Sequence, residues 1–401
     1  MHAQLQTAFE TGVLLQPAWR RLNLVDLVRS LAVLAGVGDI EQGEGVRRLM
    51  REIGPSDHYV FVLVDGMGMN LVDRLPQRSF VKSRLRMEIQ SLFPTTTAAA
   101  LTTVATGEWP NKHAVTGWWT HLPEFGCTAT ILPFVDRFTH RPLTERGMSA
   151  ENVFPCKAYH PRMTYQPLSV LPAKLPNTLY SVYSRGNTPG VGYWAIDDAI
   201  GQIIQHVQAA KGPTYTYLYI PDVDSLSHIR GWDHEDVLAL MTFVDSQLGR
   251  LAETLGSRTG AGARIVVSSD HGHTTVRLAD RLAIFDGDPL LDMLEAPPSG
   301  NPPTPMFHVK PGQRAEFTRQ FEERFGDHFS LVSSEEAEEM ELTGPGKMSE
   351  IARRRFGHFI GIARGSLTLK YYEHGKVPAS DDFGGHSGLT PGEMRIPLAI
   401  A

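Results

Sequence analysis

The chain has 401 residues, 42% apolar and 20% charged, with a net charge of −6. That balance fits a globular protein with one large α/β core or two smaller ones. The negative charge argues against a nucleic-acid polymer as partner, yet leaves a small phosphate-bearing molecule open, because bound cations would reverse the local field.

From the N-terminus, no basic segment leads into an apolar one, and no apolar run approaches the ~20 residues a membrane helix needs. A soluble, cytoplasmic protein without a membrane partner is the expectation. Residues 1–55 read as helical, with Leu22, Leu24, Leu27, Val28, Leu31 and Leu34 on one face, packed outside the core. A strand follows at 59–64, then one at 86–91. A helix runs from Thr97 to Thr106, stopped by Gly107. Residues 108–190 are rich in aromatics and proline and read as long connections walling a pocket, with strands near 128–132 and 190–194. Cys127 and Cys156 are expected as free thiols in a reducing compartment. A strand at 215–220 precedes a helix at 235–255, and another strand covers 264–269. The Pro-rich 295–303 stretch reads as a boundary. Beyond it come a strand near 305–309, a helix near 313–325, a strand near 329–332 and an acidic helix near 334–341. Strands at 358–363 and 367–372 are expected to return to the core, and 384–388 is a glycine-rich turn. The predicted fold is α/β: a mostly parallel central sheet flanked by helices. Its parts are the N-terminal helical segment 1–55, a catalytic core of 56–294 and 356–401, and a small α+β cap insertion at 295–355.

Three of these strands end in aspartate: at Asp65, at Asp222 and Asp224, and at Asp270. Non-alternating apolar runs read as strands of a parallel sheet buried on both faces, and such sheets bind ligands at their carboxyl ends. Carboxylates converging there repel one another unless a cation lies among them. Asp270 and His271 side by side offer oxygen and nitrogen donors that suit Zn2+, with Mn2+ or Fe2+ as alternatives. Asp224 and His228 stand one helical turn apart and could face a single ion, with Asp222 as the rival carboxylate. His273 either lines the pocket from behind the ligands, within reach of substrate, or points to solvent. Thr95, Thr96 and Thr97 sit where a helix begins, beside free backbone N–H groups that suit a phosphoryl group. His386 is the candidate to complete a second site, with His113 and His121 as rivals.

Taken together, these segments resemble the alkaline phosphatase superfamily, and most closely its type I phosphodiesterase/nucleotide pyrophosphatase family. The likeness rests on Val64-Asp65-Gly66, Phe93-Pro94-Thr95-Thr96-Thr97 with Ala105-Thr106-Gly107, Asp224 with His228, Ser269-Asp270-His271-Gly272, and Gly385-His386. The resemblance implies two zinc ions. One would be held by Asp65, Thr97, Asp270 and His271, the other by Asp224, His228 and His386, with Thr97 as nucleophile. It also exposes a departure: Ala100 stands where the family usually has an Asn that holds a phosphate oxygen. A backbone N–H, His273 or another loop residue would have to replace that donor.

The expected reaction is hydrolysis of a small phosphodiester or pyrophosphate through a phosphothreonine. Trp118 and Trp119, among the aromatics of 109–138, are expected at the substrate. Phosphomonoester or phosphonate hydrolysis and a catalytically inactive metal-stabilised binding module are the alternatives. Cys127 lacks the Cys-x-Pro-x-Arg context that a sulfatase needs.

Overall fold

In a computed structural model that describes residues 3–17, 19–258, 263–373 and 383–401, seven strands form a central sheet. Its order is Leu85–Gln90, Arg395–Ile400, Ala263–Ser268, His58–Val64, Thr214–Ile220, Gln166–Pro172, Gly190–Tyr193. Arg395–Ile400 pairs antiparallel with both neighbours, whereas the pairs from Ala263–Ser268 to Gly190–Tyr193 are all parallel. His58–Val64 and Thr214–Ile220 are buried at every residue, as expected of central parallel strands. The pairings run in step, Val64 opposite Ile220 and Leu63 opposite Ser268. In-step pairing brings Asp65, Pro221 and Ser269 to one edge, and with them the residues that follow.

Helices cover both faces. Leu24–Leu34 starts at Asn23, whose side chain accepts from Asp26 N, and packs its leucines against Tyr59, Phe61 and Leu63. On the other face Glu235–Arg258 buries Val237, Met241, Val244, Leu248 and Leu251 at helical spacing against Val60, Val62 and Val64. Among the described residues no helix is long and apolar enough to cross a membrane. Cys127 and Cys156 are unpaired.

Elsewhere the structure departs from the sequence reading. A second seven-stranded sheet joins Trp119–Leu122, Cys127–Thr130 and Val135–Asp136 to Ser299–Asn301, Thr304–Phe307, Phe359–Ala363 and Phe329–Ser333. The strands expected at 358–363 and 367–372 form, but neither rejoins the central sheet. Phe359–Ala363 pairs with Phe329–Ser333 and Thr304–Phe307, and Thr368–Tyr372 pairs with Arg281–Phe285. The segment 295–355 therefore shares its sheet with residues 119–136. An apolar run shows that a strand is buried, not which partner buries it. Gln166–Pro172, in the central sheet, has prolines at its second and last positions, which disguise a strand.

Candidate active site

The three Asp-tipped strands deliver their side chains to one cleft. Asp65 follows Val64 and is 1% exposed; Asp270 and His271 are fully buried. The chain turns at Gly66 with φ +74°, where a Cβ would lie 2.9 Å from the His273 ring and 3.0 Å from Asp224 Cα. Only glycine lets the two strand ends approach this closely.

Around His271, Nε2 lies 3.5 Å from Asp65 Oδ1 and 3.4 Å from Asp270 Oδ2. Thr97 Oγ1 is 3.1 Å from the same nitrogen. Thr97 opens the helix Thr97–Thr106, which places its hydroxyl beside the free N–H groups of the first turn. Asp270 Oδ1 accepts from the backbone of Gly66 and His271, whereas Asp270 Oδ2 and Asp65 Oδ1 are buried with no hydrogen-bond partner among the described residues. Burial first, then the Asp270 and Asp224 charges, push the Asp65 carboxyl well above its ordinary range. Tyr219 opposes that shift by donating to Asp65 Oδ2 at 2.5 Å.

The second cluster centres on Asp224. Its Oδ1 lies 3.5 Å from His228 Nε2, 3.6 Å from His386 Nε2 and 2.7 Å from His273 Nε2. The Asp224–His228 spacing works because both lie on the helix Asp222–Arg230, one turn apart. Asp222 starts that helix and is exposed, outside the cluster. His228 Nδ1 donates to Gly384 O at 2.9 Å, and His386 Nδ1 to Thr95 O at 2.8 Å. His271 Nδ1 donates to Gly272 O at 3.0 Å. Each bond leaves Nε2 as a lone pair aimed into the cleft, and His228 and His386 bring two such atoms within 3.1 Å. Although burial raises the Asp224 carboxyl, His228, His273 and His386 outweigh it and hold it well below the ordinary range.

Converging lone pairs and orphaned carboxylate oxygens fit cations. Asp65, Asp224 and His271 form one set of ligand atoms within 4.8 Å of one another, and Asp224, His228, His273 and His386 form another. Mixed oxygen and imidazole donors suit a borderline divalent ion.

Two cavities flank Thr97. One of about 380 Å³ is walled by Trp118, Trp119, Asn301, Arg281 and Lys370, with Asp224, His228 and His386 at its base. The other, about 560 Å³, is mainly apolar and runs past Leu101, Leu132, Leu171, Tyr180 and Tyr217 to His160. Thr97, Trp118 and Asp224 border both.

Trp118 and Trp119 thus lie at the cavity walls. Phe134, in contrast, is in the core, and Trp109 packs on the central sheet. His273 borders neither cavity: it is 1% exposed, because Thr274–Thr275 pairs with Gly384–Gly385 and holds it behind Asp224. His113 and His121 bond Thr103 and Thr128, away from both clusters. Tyr217 and Tyr219 escaped the sequence reading, although tyrosines alternate along a strand that ends at the site. Asn301, in the stretch read as a boundary, carried no local signal.

Residues 59–389 match the family described as type I phosphodiesterase / nucleotide pyrophosphatase. The chain belongs to that family. No curated protein matches it in sequence. Human ectonucleotide pyrophosphatase / phosphodiesterase 5 superposes with a TM-score of 0.64 at 16% identity, over 85% of this chain and 87% of that one. The murine protein gives 0.61 at 16% identity, over the same shares, and an inactive form of it has been solved with AMP. Phosphonoacetate hydrolase from Sinorhizobium meliloti, solved with phosphonoformate, gives 0.59 at 16% identity, over 85% of this chain and 89% of that one. These likenesses show a shared, alkaline-phosphatase-like fold. Family membership makes this chain a phosphoester hydrolase of a metal-dependent kind.

Proposed function

We propose that the protein hydrolyses small phosphodiesters or pyrophosphates by attack of Thr97 on phosphorus. The observation that carries this reading is the position of Thr97 between two cavities, with both ligand clusters beside it. A diester has two substituents to house, and the cleft offers two spaces. A phosphonate with one small substituent would leave the 560 Å³ cavity idle.

Asp65, Asp270, His271 and Thr97 would hold one zinc ion, and Asp224, His228 and His386 the other; Mn2+ or Fe2+ would satisfy the same donors. Bound there, the ions supply Lewis acidity at both ends of the displacement. The chain's own residues do the rest. The helix N-terminus at Thr97 presents N–H groups to the phosphoryl oxygens. As the Thr97 oxygen–phosphorus bond forms, the bond to the leaving oxygen breaks on the opposite side, and the hydroxyl proton of Thr97 passes to solvent. Water then cleaves the phosphothreonine ester and restores the threonine, so two inversions give net retention at phosphorus. Arg281 and Lys370 in the first cavity suit an anionic leaving group, as in a pyrophosphate. The larger apolar cavity suits the ester group that stays on Thr97.

The test is hydrolysis of an aryl diester, an aryl monoester and a dinucleoside pyrophosphate by zinc-loaded protein, with metal content measured in the same sample. Turnover of the diester or pyrophosphate ahead of the monoester is expected. Full metal content with no turnover of any of the three would leave an inactive metal-stabilised binding module instead.

A further inference from the structure

We propose that the side-chain amide of Asn301 donates a hydrogen bond to a non-bridging oxygen of the phosphoryl group that Thr97 attacks. The proposal rests on the hydrolase reading above and fills a gap in it. In phosphoryl transfer, charge spreads over the equatorial oxygens, and fixed donors aimed at them lower the barrier. The helix that starts at Thr97 supplies no side-chain donor in its next turn, where Ala98, Ala99 and Ala100 are fully buried.

Asn301 borders the cavity into which Thr97 opens. Its Oδ1 accepts from Trp118 N at 2.9 Å. A backbone N–H can only donate, so this bond fixes the amide with its oxygen toward Trp118 and its NH2 group turned away. Among the described residues Nδ2 has no partner.

The turn carrying Asn301 is held on two sides. Gly117 packs so closely that a Cβ there would lie 2.8 Å from Asn301 Oδ1. Thr304, the residue paired with Asn301, donates through its hydroxyl to Ser387 Oγ at 2.9 Å, and Ser387 N donates to Thr95 Oγ1 at 3.1 Å. These bonds tie the turn both to the segment of His386 and to the approach of Thr97. Ser387 takes φ 124°, a conformation that persists in a non-glycine residue only where its surroundings fix it. The donor is thus set in place before substrate arrives.

Asn301→Asp keeps the oxygen that accepts from Trp118 but replaces the donor with an oxygen that repels phosphate. Asn301→Ala removes the group. With metal content and circular dichroism matched to wild type, bis(p-nitrophenyl) phosphate is assayed. The expected result is a kcat about 100-fold lower in Asn301→Ala and lower still in Asn301→Asp, with KM within about threefold. Wild-type turnover together with an Asn301→Asp kcat within threefold of it overturns the proposal. If metal-loaded wild type cleaves no phosphoester, the hydrolase reading has failed on its own. Inorganic phosphate binding by calorimetry then tests the donor: affinity at least tenfold weaker in Asn301→Asp supports it, and equal affinity overturns it.

Discussion

Asp65, Asp224 and Asp270 reach the cleft from the ends of three adjacent strands in step, whereas Asn301, Arg281 and Lys370 lie on strands of two other sheets and Trp118 immediately precedes one of those strands. The strand ends are rigid: their strands are buried, and their polar atoms converge within hydrogen-bond or ligand distance. The wall is half-buried, built of long side chains. Edge and wall therefore carry different burdens. On the proposed mechanism the edge would hold the groups that make and break bonds, and the wall would fix what surrounds the phosphorus. Changes at the edge should abolish turnover or loosen the metals, and changes in the wall should leave metal content constant while altering preference or, at Asn301, the rate.

The largest effect is expected at Thr97. Thr97→Ala should lower turnover by about 10³-fold or more while metal content, read by plasma mass spectrometry, stays at the wild-type level. Next comes Tyr219→Phe, which removes the 2.5 Å hydrogen bond to Asp65 while leaving the ring in place. Chelator competition should show metal affinity about 10–100-fold weaker; unchanged affinity would detach Tyr219 from the metal site. On the wall, Trp118→Ala should raise KM for an aryl diester about tenfold, with metal content unchanged. Metal loss in that variant would break the division between edge and wall.

The smallest expected effect lies in the scaffold common to both. Burial lowers His113 and His308 to about 3 and His160 to about 4, from an ordinary 6.5. Unfolded chains bind a proton at these histidines near pH 6.5, and the folded protein does not until pH 3–4. Between those values the unfolded state carries more protons, so stability rises with pH and is lost as pH falls through 6.5. Urea unfolding of metal-free protein at pH 7.5 and pH 5.5 should differ by about 1.4 kcal/mol for each such histidine.

The same contrast explains what was legible in the sequence. Asp65, Asp270 and His271 stand next to apolar runs that announce buried parallel strands, so a few consecutive residues carry both the position and the chemistry. The Asp222–Asp224 choice needed the helix itself: the first helical residue faces solvent, and the third shares a face with His228. Ala100 showed in sequence that a donor was absent, but no periodicity could point to Asn301, whose neighbours Trp118 and Ser387 come from distant segments. His273 illustrates the other failure. Its place behind Asp224 depends on the pairing of Thr274–Thr275 with Gly384–Gly385, a contact that leaves no pattern in either segment.

The central claim is that Thr97, set between the two ligand clusters, opens a diester by forming a phosphothreonine. Rapid quenching of zinc-loaded protein with an aryl diester, followed by peptide mass spectrometry, tests it directly. A phosphoryl ester on the peptide containing Thr97, absent from Thr97→Ala, is the predicted result. Full turnover by Thr97→Ala with both metal sites filled would contradict it.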